Sequence, residues 1–367
     1  MSKKKKQLKA VQAAKMRKKR RNKRRKRIFV LTAEVIILTF LLGTAYVMAK
    51  YDKIQRVEID SENVTVNEGA VKEGYTTVAL FGGDSREGQL GAGTHADTII
   101  IASIDNKTKE IRLVSIYRDT FLKQKDDKYN KANSAYFRGG PEEAISMLNE
   151  NLDLDIEDYV TVDFKALVDT IDLMGGIEID IQEEEVQYMN EFLQETADVA
   201  GTEANFIEHA GEQKLDGDKA EQLVRFRHNN DGTTYPASYG LEDEGRMKTQ
   251  QAFLTELAKQ TLTVGNIPKI IDILDIANKY VETNMDFNML KDYVPYLVEL
   301  NLSDVKKDTL PGEPALTNGV WVYLADEEDA PKVIDELFPK SMLYNIEEAN
   351  DTNTTSNSTT NEEINNI

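Results

Sequence analysis

TTVALFGGDSREG (Thr76–Gly88), HADTIIIASID (His95–Asp105) and IRLVSIYRD (Ile111–Asp119) follow one another within 44 residues. Each carries a short run rich in β-branched residues, bounded by Gly, Asn, Lys or Asp, as strands of a covered sheet do. DYVTVDF (158–164) and GGIEIDI (175–181) add two more strands. Helical patterns stand between and after them. PEEAISMLNEN has Pro141 at a first helical position, and FKALVDTIDLM ends at Gly175-Gly176. Further helices fit 217–224, 244–262, 266–282, 286–300 and 328–338. Strands alternating with helices predict an α/β sandwich on one mostly buried sheet. No internal repeat is present.

Outside this block the chain changes character. Sixteen of the first 27 residues are Lys or Arg and none is acidic, so residues 1–27 form a solvated basic tail. Ile28–Ala49 is apolar, and 22 residues at about 1.5 Å each would span roughly 33 Å as a helix, enough for a bilayer. Its only ionisable residue, Glu34, lies near the basic end. The run is long for a signal-peptide core and no small-residue cleavage site follows, so an uncleaved signal anchor is expected. The positive-inside rule places the tail in the cytoplasm and the chain from Lys50 outside, in a single-pass cell-membrane topology.

Beyond residue 49 the chain has 29 basic and 63 acidic residues, about −34 in formal charge, which excludes a general nucleic-acid binder. The absence of cysteine excludes disulfides and thiolate chemistry. Residues 50–74 read as a short stalk, 75–345 as the folded domain, and 346–367 as a polar tail without structure.

No Walker A loop, Gly-x-Ser-x-Gly elbow or His-Glu-x-x-His helix is present, and His95, His209 and His228 are dispersed. The chemistry-bearing residues are carboxylates and arginines at strand ends. Gly82-Gly83, which permit unusual backbone angles, precede Asp84 and Arg86, and Asp97 opens the next strand. Two neighbouring carboxylates suit Mg2+, which takes one or two from protein and completes its shell with water and phosphate oxygens. Arg118-Asp119 close the third strand at the carboxyl edge, where open α/β sheets place ligands. Arg225 and Arg227 share a side only on an extended backbone. Arg246 and Gln250, at i,i+4, share a helix face. Taken singly, each of these also fits a solvated or ion-paired surface group.

In order, FGGDSREG, HADTIIIASID, SIYRDTFL, KYNKANSAYFRGGPEEAI, DYVTVDFKALVDTIDLMGGIEIDI, GEQKLDGDKAEQLVRFRH and EGRMKTQQAFL resemble the LytR-CpsA-Psr family from Thr76 to Ala258. The resemblance implies an α/β/α sandwich with a central mixed sheet, preceded by one transmembrane helix. It implies Asp84 and Asp97 on Mg2+, Arg118, Arg225, Arg227 and Arg246 on a diphosphate, and Arg86, Asp119, Lys131, Asn133 and Gln250 at further matching polar positions. An apolar cavity would take a polyprenyl chain, with Phe164, Leu167, Val168 and Ile171 as candidate wall residues or an ordinary core helix.

The implied reaction attaches a glycopolymer (teichoic acid, capsule or another wall polysaccharide) from a polyprenyl diphosphate carrier to peptidoglycan. The 6-hydroxyl of N-acetylmuramic acid would be the nucleophile, with Asp119 or Asp97 as candidate bases. A polyprenyl-diphosphate phosphohydrolase, or a non-enzymatic attenuator or polymer receptor, are the alternatives. The chain departs from the family pattern in two places: His95-Ala96 replace Arg-Ser, and Thr249 replaces a second helix arginine.

Overall fold

A computed structural model describes residues 43, 45–59, 63–83, 90–181, 183–200, 203–225, 243–263, 265–266, 269–286 and 305–339. The chain divides into two compact units, Met1–Asp52 and Lys53–Ile367. In the first, residues 45–51 are helical. Most of the expected anchor, 28–49, lies outside the described residues, and no described helix is long and apolar enough to cross a membrane.

In chain order the second unit begins with β1 (Gln55–Arg56), β2 (Tyr75–Gly83), β3 (Ala96–Asp105), β4 (Ile111–Ile116), β5 (Phe121–Lys123) and β6 (Tyr129–Lys131). Then come α1 (Asn133–Leu152), β7 (Asp158–Asp163), α2 (Phe164–Met174), β8 (Ile177–Ile181), α3 (Glu183–Ala200), β9 (Gly211–Leu215) and α4 (Gly217–Arg225). It ends with α5 (Asp243–Thr261), α6 (Ile270–Tyr280), β10 (Val281–Thr283), β11 (Lys306–Thr309), β12 (Gly312–Thr317), β13 (Val320–Ala325) and α7 (Asp329–Asp335).

Seven strands make a mixed sheet in the order β1-β10-β7-β2-β3-β4-β11. Pairing is antiparallel through β2, β3 and β4, and parallel for β2 with β7 and β4 with β11. Side chains alternate between the sheet's faces. One set, Ala79, Phe81, Ile99, Ile101, Val114, Ile116 and Tyr159, packs with Tyr136, Ile145 and Leu148 of α1 and Ile334 of α7 into one core. Fully burying each such aliphatic or aromatic side chain contributes about 1.5–3 kcal/mol. The alternate set, which includes Leu80, Leu113 and Val160, is less covered, and Val162 is 36% exposed. Over that face lies α5, whose Gln251 amide donates to Ser115 Oγ on β4 at 2.7 Å. A second core joins α2 through α5 with the antiparallel β8–β9 pair.

Several expectations change. GGIEIDI is a strand, but β8 pairs only with β9 among the described residues and stands apart from the central sheet. Residues 53–59 and 63–74, read as a stalk, belong to the fold. β1 pairs with β10, Ile59 and Val64 pack on the first core, and the Lys72 N–H donates to Asp155 at 2.6 Å. The expected helix 266–282 gives up its last residues to β10, which pairs antiparallel with β7. The helix 286–300 and the tail from 346 lie outside the described residues. Pro141 does open a helical segment: Gly140, at φ 66° and ψ −155°, breaks α1 just before it. The backbone of Ala92 comes within 3.3 Å of where a Cβ on Gly140 would stand, so this kink is closed to other residues.

Candidate active site

The carboxyl ends of β2, β4 and β7 and the start of β3 meet at one end of the sheet. Gly82 pairs with Thr98 and Gly83 with Ala96, so Asp97 is the extra residue of a β-bulge. A bulge re-aims the side chain it carries. The tight glycine here is Gly82, for steric reasons: a Cβ would stand 2.8 Å from Thr98 Cβ, and neither Gly82 nor Gly83 has a positive φ. The expected unusual backbone angles are not their purpose.

From Asp97 a string of alternating charges runs along this edge. Arg118 Nη1 donates to Asp97 Oδ1 at 2.7 Å, Arg118 Nε stands 3.9 Å from Asp119 Oδ1, and Lys131 Nζ is 3.0 Å from the same oxygen. The side chains are 19–27% exposed, which screens them only partly from water. Local hydrogen bonds fix the string. After β4 the chain turns through a Thr120 N–H to Tyr117 carbonyl bond, and the N–H groups of Ala132 and Asn133 donate to the carbonyls of Thr120 and Arg118. Lys131 and Asn133 are therefore fastened by backbone to the loop that carries Arg118.

On α5, Arg246 is 4% exposed and Gln250 is 7% exposed. Thr98 Oγ1 donates to Gln250 Oε1 at 3.1 Å, and Gln250 Nε2 donates to the Val224 carbonyl at 3.1 Å. Both ends of the amide are thus engaged inside the protein. Gln250, expected among the ligand-facing residues, ties Thr98, the neighbour of Asp97, to the end of α4.

Arg225 is the last residue of α4, so the extended backbone expected from VRFRH does not hold at its first two residues. Asp84, Arg86 and Arg227 lie outside the described residues. His95 is exposed and stacks on the Phe137 ring at 4.5 Å, while Ala96 behind it is fully buried. Thr249 is 8% exposed and lines a cavity of about 690 Å3 with Phe253, Leu223, Glu185, Glu256 and Lys259. None of the four candidate wall residues on α2 lines that cavity. Val168 and Ile171 are core, while Phe164 and Leu167 are partly buried against the second core.

No group of three or more His, Cys, Asp or Glu residues suited to a metal occurs among the described residues. A hard cation that keeps much of its water needs fewer, and the Asp97 carboxylate, on a bulge beside basic side chains, has the chemistry of such a ligand.

A mixed sheet between helical layers, with a carboxylate–arginine–lysine string at one end, defines an α/β/α protein whose charged strand ends have the chemistry to meet a phosphorylated ligand. Residues 38–338 match the LytR_cpsA_psr family, and the chain belongs to it. It is 24% identical over 278 residues to the polyisoprenyl-teichoic acid–peptidoglycan teichoic acid transferase TagU of Oceanobacillus iheyensis, covering 74% of this chain and 78% of that one. It is 30% identical over 209 residues to the Bacillus subtilis transferase TagV, covering 56% of this chain and about half, 49%, of the relative. The solved structure of TagT bound to LIIa-WTA superposes with a TM-score of 0.57 at 17% identity, covering 77% of this chain and 98% of that one, a likeness of fold.

Proposed function

We propose that the protein moves a glycopolymer from a polyprenyl diphosphate carrier onto peptidoglycan. The observation that carries this reading is the Asp97–Arg118–Asp119–Lys131 string at the end of the sheet. The names of the relatives support the same activity.

The sugar hydroxyl, the 6-hydroxyl of N-acetylmuramic acid, attacks the polymer-side phosphorus. The phosphoanhydride bond breaks, a phosphodiester forms, and polyprenyl phosphate leaves. Such a reaction asks mainly for positioning and for charge on the non-bridging oxygens. The Arg118 guanidinium has five donors in a fixed fork, so it can hold the Asp97 carboxylate and a phosphate oxygen together. By the family resemblance, Arg246, Arg225 and Arg227 would add further guanidinium groups. Asp119, 3.0 Å from Lys131 Nζ, or Asp97 would accept the hydroxyl proton. Asp97 and Asp84 would hold Mg2+, which supplies charge neutralisation at the diphosphate.

On the α5 side of the sheet Leu80, Leu113, Val160 and Val162 are partly exposed around the buried Val78, Ile100 and Ala102, and these apolar margins would meet the isoprenoid chain. The basic tail and the apolar run 28–49 would fix the domain on the outer membrane face, where the carrier lies. Mass spectrometry of lipid that copurifies with the detergent-extracted chain tests the lipid site. A polyprenyl phosphate or diphosphate is expected, retained by the wild type and depleted in Arg118→Ala. Equal retention by both would refute the assignment of Arg118 to the diphosphate.

A further inference from the structure

The β12–β13 hairpin carries four exposed apolar side chains: Leu316 at 60%, Val320 at 52%, Trp321 at 65% and Leu324 at 38%. Leu316 lies directly opposite Trp321, so the two share one face. The hairpin is rigidly made. Its two-residue turn, Asn318-Gly319, has φ of 51° and 78°, the positive values that match the twist of the flanking strands.

Its base is fixed to the active site. The Tyr323 N–H donates to the Asp119 carbonyl at 2.9 Å, Thr120 and Tyr323 form a parallel bridge, and the Tyr323 ring stacks on Tyr117 at 3.8 Å. Trp321 is two residues from Tyr323 on the same face, about 7 Å along the strand. An indole on a stiff support thus stands beside the loop that carries Arg118 and Asp119.

Resting on the reading of a sugar acceptor, we propose that Trp321 and Leu316 form the platform on which the acceptor glycan strand lies, the C–H faces of its N-acetylhexosamine rings stacked on the indole. Charge selects this partner over two others. From Thr309 to Ala330 there is no Lys or Arg, while Glu313, Asp326, Glu327, Glu328 and Asp329 are acidic. A surface meant for anionic lipid carries basic residues around its aromatic anchor, and an anionic polymer would be repelled equally. The N-acetylhexosamine rings are themselves uncharged, and in a glycan strand the lactyl carboxyl of muramic acid is taken up in its amide to the stem peptide, so the ring faces meet neither objection.

Trp321 is the only tryptophan of the chain, so its emission reports this site alone. The full chain in detergent is titrated with a soluble tetrasaccharide of alternating N-acetylglucosamine and N-acetylmuramic acid whose lactyl carboxyls are amidated, and separately with phosphatidylglycerol vesicles. A saturable emission change with the tetrasaccharide and none with vesicles is expected. In transfer kinetics, Trp321→Ala should raise the acceptor KM about five- to tenfold, with Trp321→Phe intermediate and the donor KM unchanged. A silent indole with the tetrasaccharide, a response to vesicles instead, or an unchanged acceptor KM in Trp321→Ala overturns the proposal. Failure of the transferase reading looks different: no product from the wild type while the tetrasaccharide still shifts the emission.

Discussion

Arg118 Nη1 donates to Asp97 Oδ1 at 2.7 Å, joining the turn after β4 to the bulge on β3. The pair holds a carboxylate at the end of the sheet where the strand alone would not aim it. Asp97→Ala should abolish transfer and remove the magnesium dependence of lipid-diphosphate binding. A charge-assisted hydrogen bond is worth about 1.5–3 kcal/mol, so Tm should fall by only a few degrees. Full transfer by the variant in the presence of chelator would end the metal assignment.

Gly82 has no room for a side chain, because Thr98 Cβ lies 2.8 Å from the position a Cβ would take. Gly82→Ala should push Thr98 away and stretch its hydrogen bond to Gln250. Overpacking of this kind costs about 1–3 kcal/mol. Both the denaturant midpoint and the transfer rate should drop; an unchanged midpoint would show that the strand yields at no cost.

Gln250 accepts from Thr98 and donates to Val224, and a glutamate can do only the first. Gln250→Glu should therefore set a carboxylate against the Val224 carbonyl, loosen the end of α4 where Arg225 stands, and lower kcat. Loss of one buried partner costs about 1–3 kcal/mol, so Gln250→Ala should be destabilised to that extent. Unchanged kinetics in Gln250→Glu would show that the end of α4 does not contribute to the reaction.

Burial, with Glu157 and Asp286 nearby, pushes the Asp158 carboxyl from its ordinary 3.8 up to about 6, against a hydrogen bond with Asn284. The folded chain therefore favours protonated Asp158. Its contribution to stability is full below about pH 3.8 and is lost as pH rises through about 6. Asp158→Asn should flatten the stability profile across that window and gain about 1 kcal/mol above it, after allowance for solvent screening. Urea midpoints at pH 4, 5, 6 and 7 check the sign.

The strands of the central block were legible because their runs of Val and Ile are continuous and their ends are marked by Gly, Asn and Asp. Asp97 and Arg118 were legible as charged residues at those ends and Lys131 only through the family resemblance, and the fold brings the three together. The bulge that aims Asp97 was not, since it depends on the register between β2 and β3. Helix α3 was overlooked although Val186, Met189, Leu193 and Ala197 recur at helical spacing on its buried side. β10 carries no local signal: three residues at the end of a helix become a strand because β7 offers an edge 120 residues earlier. β13 hid its role for the opposite reason. VWVYLA is an apolar run like any other, and only the contacts of Tyr323 with Tyr117 and Asp119 set Trp321 beside the site.

The most direct test is transfer itself. The purified full chain is incubated with a polyprenyl diphosphate-linked polymer and uncrosslinked peptidoglycan, and the wall fraction is digested and read by mass spectrometry for a sugar–phosphate–sugar linkage. A phosphodiester at the muramic acid 6-position, formed with release of polyprenyl phosphate and lost in both Asp97→Ala and Arg118→Ala, is the expected result. Free polymer phosphate with no wall linkage, or a linkage formed equally well by both variants, would contradict the account.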